Sequence, residues 1–108
     1  MLPRIPANDK ARITMSKSER RTVVIKHKYG IHARPAAKIV ALSNTFTSDI
    51  EVIKTGEPPA NAKNILDIMM LAAAPGVSLE LRTRGNDAIE ALEKLAELME
   101  SDFETGEV

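Results

Sequence analysis

The stretch Gly30-Ile31-His32-Ala33-Arg34-Pro35-Ala36 combines residue types and spacing that could do chemistry. A helix beginning near Ala33 leaves its first backbone N–H groups without partners, and its macrodipole adds about half a positive charge there. That end is an anion site before any side chain is counted. Arg34 adds a fixed guanidinium suited to phosphoryl oxygens. Pro35 suits the first turn, where its missing N–H costs nothing. His32, immediately before the helix, places an imidazole at the mouth of the site. The positive helix end disfavours a second positive charge, so the ring is expected neutral and nucleophilic near pH 7. Gly30 permits a tight backbone path into the turn. Together these residues could take a phosphoryl group onto a ring nitrogen and hold its charge. A histidine alone is more often a surface or structural residue, and only the arrangement with Gly30, Arg34 and Pro35 singles out His32. His27 has no anion-binding neighbour in sequence and reads as a structural or exposed residue at a strand end.

Elements must hold that loop in place. Arg21 to His27 reads as a strand with Val23 and Ile25 inward, broken by Tyr29-Gly30. Residues 33–44 have helical spacing, with Ala36, Ile39, Val40 and Ser43 on one stripe and Phe46 just beyond. Ile50 and Val52 alternate with Asp49 and Glu51 as a second strand. Thr55-Gly56 turns, and Pro58-Pro59 leads into an extended piece at 60–62 that the prolines assign to a sheet edge. Asn64 is a cap for a short helix, Ile65–Leu71, with Asp67 near its positive end. Val77, Leu79 and Leu81 alternate with polar residues as the fourth strand. After Gly85-Asn86, Asp87 and Glu90 open a last helix whose stripe is Ala88, Leu92, Leu95, Ala96 and Met99. The order β-α-β-β-α-β-α predicts an α+β domain, with three helices on one face of a four-stranded, mostly antiparallel sheet.

Length and composition bound the alternatives. The chain has 108 residues, 44% hydrophobic, which is a prior for one domain. Residues 1–19 are polar and aperiodic and read as a flexible tail, 20–104 as the domain, and 105–108 as an acidic end. Met15 could be an alternative start. No cysteine means no disulfide, thiolate metal site or cysteine nucleophile. Two histidines are too few for an all-histidine zinc site, which takes three or four protein ligands. No metal or cofactor is expected. No apolar run approaches the roughly 20 residues that span a bilayer, and the N-terminus has no signal-peptide core, so a cytoplasmic location is the default. Lys plus Arg and Asp plus Glu total 15 each. Zero net charge and three aromatics argue against a nucleic-acid partner. The charges are nonetheless segregated: residues 1–38 carry ten bases against Asp9 and Glu19, and residues 86–108 carry eight acids against Lys94.

At this point Gly30-Ile31-His32-Ala33-Arg34-Pro35-Ala36-Ala37 resembles the active-site signature of HPr, the histidine-containing phosphocarrier of the bacterial phosphotransferase system. The likeness runs over residues 20–103. It includes Phe46-Thr47-Ser48-Asp49-Ile50 after the first helix and Gly85-x-Asp87 before the last. It implies an open-faced β-sandwich and phosphorylation of His32 on Nδ1 by Enzyme I, with phosphoenolpyruvate as the source. The group would then pass to a histidine of an enzyme IIA domain. Arg34 and the backbone N–H groups of Ala33 and Arg34 would stabilise it. Phosphoryl transfer is mostly alignment and charge stabilisation, so a small site suffices. Ala37, Ile65, Leu66 and Met69 would form the apolar docking patch, with Ile68 and Leu71 turned to the core. The partners' docking surfaces are, by the same resemblance, acidic.

The sequence departs from the family in three places. Asn64 stands where many Gram-positive members carry a serine phosphorylated by a regulatory kinase, and Asn has no hydroxyl to modify. A glycine common after the first helix is replaced around Asn44-Thr45, which predicts a left-handed Asn44. The tail has no counterpart. Two branches stay open, sugar uptake and a nitrogen-related regulatory (NPr-like) role, towards which the acidic C-terminal end and absent serine lean. The competing class is a non-transferring module that regulates by contact; such modules can lose the histidine, whereas His32 and Arg34 are present here. A monomer is expected, since a carrier exposes one face to successive partners.

Overall fold

The computed structural model describes residues 17–101. Four strands, β1 (Ser18–Val24), β2 (Asp49–Lys54), β3 (Ala60–Asn61) and β4 (Ser78–Arg84), are interspersed with helices α1 (Ala33–Ser43), α2 (Ile65–Met70) and α3 (Ala88–Met99). They form one sheet in the order β1-β4-β2-β3. Every pairing is antiparallel, so the sheet is antiparallel throughout rather than mostly so. The element order is the expected β-α-β-β-α-β-α, with β3 at an edge beside Pro58-Pro59. The expected tail, Met15 and the acidic end at 105–108 lie outside the described residues, except that Lys17 to Glu19 are described and β1 already begins at Ser18.

Alternation decides the two faces of the sheet. Val23, Val52, Leu79 and Leu81 are fully buried beneath the helices; burying such side chains contributes roughly 1.5–3 kcal/mol each. Arg20, Arg82 and Glu51 lie in register on the other, bare face, where Arg20 pairs with Glu80 at 3.4 Å and Arg82 with Glu51 at 3.5 Å. The stripe of α1 buries Ala36, Ile39 and Ser43, with Pro35 buried in its first turn. In α3, Ala88, Leu92, Leu95, Ala96 and Met99 are buried as expected, and Ala91 joins them. Ile68 and Leu71 are buried under α2.

Three local expectations are corrected. The first strand starts three residues earlier than Arg21 and ends at Val24. Ile25 then bonds to the 76–77 turn instead, its N–H donating to the Val77 carbonyl at 3.0 Å and its carbonyl accepting from the Gly76 N–H at 2.8 Å. Asn44 is right-handed (φ −73°, ψ −6°). The end of α1 needs no left-handed residue because the Asn44 amide donates to the Val40 carbonyl at 2.9 Å and the Thr45 hydroxyl to that of Leu42 at 2.7 Å. Asp87 makes no side-chain bond to its own helix. Its carboxylate accepts instead from the N–H groups of Thr47 and Ser48, each at 2.9 Å, and from the Ser48 hydroxyl at 2.5 Å. That network ties the start of α3 to the entry of β2. It requires Gly85, where a Cβ would strike Ser48.

Candidate functional site

The loop from His27 to His32 is suspended between the end of β1 and the first turn of α1. Gly30 is left-handed (φ +73°), and a side chain there would collide with the backbone of Ala73. Its N–H donates to the His27 carbonyl, and the Ile31 N–H donates to the Ala73 carbonyl, both at 2.9 Å. Ile31, Pro35 and Ala36 are buried. The loop is thus pinned beneath while its next residue faces outward.

His32 is the N-cap of α1, in extended conformation (φ −118°, ψ −164°), with no side-chain bond capping the helix. Its carbonyl accepts from the Ala36 N–H at 2.9 Å, the first bond of the helix. Pro35 has no N–H, so the donors offered by the first turn are those of Ala33 and Arg34. His32, Ala33 and Arg34 are all exposed. An imidazole, two uncapped N–H groups and a guanidinium therefore share one helix end. This is a geometry for a doubly charged anion attached to, or approaching, the ring. Lys26 and Lys28 are exposed nearby in sequence, and Lys38 is half-buried. Among the described residues, Lys26 and Arg34 pair with no carboxylate. No group of three or more metal-ligating side chains occurs among the described residues, and none of their helices is long and apolar enough to cross a membrane.

Two residues not included in the site read from the sequence, His27 and Tyr29, belong to this neighbourhood, and the burial of His27 fits its reading as a structural residue. His27 is buried, 2% exposed, and its ring lies 5.3 Å from that of His32, tilted by 55°. Its Nδ1 accepts from the Tyr29 N–H at 3.2 Å. Period-two alternation carries Val23 and Ile25 inward and continues to His27, a signal that ending the strand there obscured. Tyr29 is 67% exposed, with its ring 6.3 Å from His32 and edge-on, and the Lys28 ammonium 5.3 Å from its ring centre.

The apolar patch expected on α2 is exposed: Ile65, Leu66 and Met69, with Ala37 on α1. Met70, 79% exposed, extends it. It follows Leu66 by four residues, so helical spacing already placed it on that face. Asn64 caps α2 as expected, its Oδ1 accepting from the Asp67 N–H at 3.1 Å, while the Lys54 ammonium donates to the Leu71 carbonyl at the other end. A broad depression of about 570 Å³ lies elsewhere, at the sheet, bordered by Arg20, Glu51, Arg82 and Arg84; no residue of the 30–36 loop lines it.

Residues 19–101 match the model of the family described as PTS HPr component, phosphorylation site. The phosphocarrier protein HPr of Pseudomonas aeruginosa is 39% identical over 85 residues, which are 79% of this chain and 94% of that protein. Among solved structures, HPr of Thermoanaerobacter tengcongensis superposes with a TM-score of 0.74 at 41% identity, covering 79% of this chain and 94% of that one. The catabolite-repression protein Crh of Bacillus subtilis, crystallised as a dimer with a swapped domain, gives 0.63 at 42% identity over 74% and 91% of the two chains. The open-faced fold, the uncapped helix end behind an exposed histidine, and these relatives agree, and the chain belongs to the HPr family of bacterial phosphotransferase-system phosphocarriers.

Proposed function

We propose that His32 accepts a phosphoryl group from phosphorylated Enzyme I, charged by phosphoenolpyruvate, and passes it to a histidine of an enzyme IIA domain. The observation that carries this reading is the exposed His32 ring at an α1 N-terminus with no side-chain cap, beside the N–H groups of Ala33 and Arg34. The ring nitrogen supplies the electron pair for the new N–P bond as the donor's N–P bond breaks. The other ring nitrogen keeps its proton, so no separate base is required. Arg34 and the two N–H groups bear the phosphoryl charge in both directions of transfer. The protein is a carrier that ends each half-cycle in altered form. Ala37, Ile65, Leu66, Met69 and Met70 form the docking face, where flexible methionines accommodate successive partners. We read the carrier as a cytoplasmic monomer. A dimer found by sedimentation at micromolar concentration would replace that reading.

Incubation with Enzyme I and phosphoenolpyruvate is expected to add one acid-labile phosphoryl group to the wild type and none to His32→Ala. No gain in the wild type, or an equal gain in the variant, overturns the proposal. The likeness to Crh favours one alternative, a regulator acting by contact. In that case His32→Ala would keep full regulatory binding.

A further inference from the structure

We infer that His27 is a positioning residue that selects which ring nitrogen of His32 receives the phosphoryl group; the inference rests on the carrier reading above. His27 closes the loop at two points. Its carbonyl accepts from the Gly30 N–H at 2.9 Å and its Nδ1 from the Tyr29 N–H at 3.2 Å. An accepting Nδ1 carries no proton, so in the neutral ring the proton sits on Nε2 and the orientation of the ring is set. The ring is fully enclosed, so it cannot swing away. Against this fixed body stands the exposed His32 ring, 5.3 Å away between centres and tilted by 55°.

The χ2 torsion of histidine is broad and roughly two-fold. An unsupported ring at a helix N-cap therefore presents either nitrogen to the N–H groups of Ala33 and Arg34. No side-chain hydrogen bond holds His32 to the helix, which leaves ring contacts to choose between the two orientations. Tyr29 also touches this pair, with its ring 5.7 Å from His27 and 6.3 Å from His32, but it is 67% exposed and provides a softer wall. His27 is the rigid one. Holding a single nitrogen outward matters because transfer needs the lone pair in line with phosphorus, and a misplacement of an ångström costs up to about a hundredfold in rate.

Two variants separate the ring from its hydrogen bond. His27→Asn keeps an acceptor for the Tyr29 N–H but removes the ring; His27→Phe keeps a ring and loses the acceptor. Each is phosphorylated with potassium phosphoramidate, a small donor that needs no partner protein. Its N–P bond breaks, ammonia leaves, and the new N–P bond forms at the His32 nitrogen bearing the lone pair. The product isomers are resolved by ³¹P and ¹⁵N NMR, at a temperature where circular dichroism shows each variant folded.

A single isomer is expected from the wild type and from His27→Phe. A mixture is expected from His27→Asn, formed about tenfold more slowly, an effect of misorientation. A single isomer at the wild-type rate from His27→Asn overturns the inference, as does an equal mixture from His27→Phe. In case a variant does not fold, couplings and ring-proton NOEs in the wild type test the same point. One χ2 state in contact with His27 is expected, and two equally populated states overturn the inference. Because phosphoramidate bypasses Enzyme I, failure here is distinguishable from failure of the carrier reading.

Discussion

Arg34 projects from the first turn of α1, exposed and unpaired with any described carboxylate, so its charge is available to an incoming anion and contributes little to the fold. Replacing it by glutamate separates those roles. An acidic residue in the first turn interacts favourably with the helix dipole, by about 0.3–1 kcal/mol, so Arg34→Glu is expected to melt at or slightly above the wild-type temperature. Facing a phosphoryl group, the same carboxylate repels. Transfer from phosphorylated Enzyme I is expected to fall about a hundredfold, the scale on which loss of one charge-stabilising donor is felt. Rapid-quench rates beside thermal melts check this, and a loss of stability matching the loss of rate would show that Arg34 is structural. The position of His32 and Arg34 at a helix start was legible in the sequence, because a helix start is a local event, written in Pro35 and the residues around it. The burial of His27 was not, because the inward alternation of Val23 and Ile25 reaches it only beyond the end of β1 at Val24.

At the scale of elements, periodic stripes in α1, α3 and the strands were legible because burial repeats with the geometry of each element. The junctions were not, since they depend on residues far apart in sequence. Asp87 is the clearest case. Read locally it caps α3; in the fold it crosses to the α1–β2 connection, 39 positions away for Ser48. The Ser48 hydroxyl, with the N–H groups of Thr47 and Ser48, lowers the Asp87 carboxyl from its ordinary 3.8 to about 2. A carboxyl lowered on folding stabilises the fold fully above the unfolded value and ceases to do so as pH falls through the folded one. The contribution of Asp87 is therefore complete above pH 3.8 and lost by about pH 2. Urea melts across that window are expected to show wild-type stability falling more steeply with acid than that of Asp87→Asn, which is less stable at pH 6 but lacks this titration. Parallel curves would mean the carboxylate network does not form in solution.

Over the whole molecule, net neutrality conceals a charge distribution that the fold turns into a surface. Lys26, Lys28 and Arg34 are exposed around the loop bearing His32, while the exposed positions of α3 include Glu90, Glu93 and Glu97. On the bare sheet face, Arg20 and Arg82 are drawn into ion pairs; Lys26 and Arg34 have none among the described residues. A basic rim around His32 suits a partner with an acidic docking surface, and charges of this kind act chiefly on the rate of encounter. Screening gives the test. Between about 0.01 and 0.1 M salt the Debye length falls from roughly 30 to 10 Å, so the association rate with Enzyme I is expected to fall about tenfold. The rate at saturating donor should hold, because the docked site excludes most of the intervening electrolyte. Lys26→Glu, which leaves the His32 loop and the α2 patch intact, should lower the association rate and flatten its salt dependence. A salt-independent wild-type rate, or an unchanged slope in Lys26→Glu, would mean that the apolar face of Ile65, Leu66, Met69 and Met70 governs encounter as well as docking, and that the segregated charges serve something other than phosphoryl transfer.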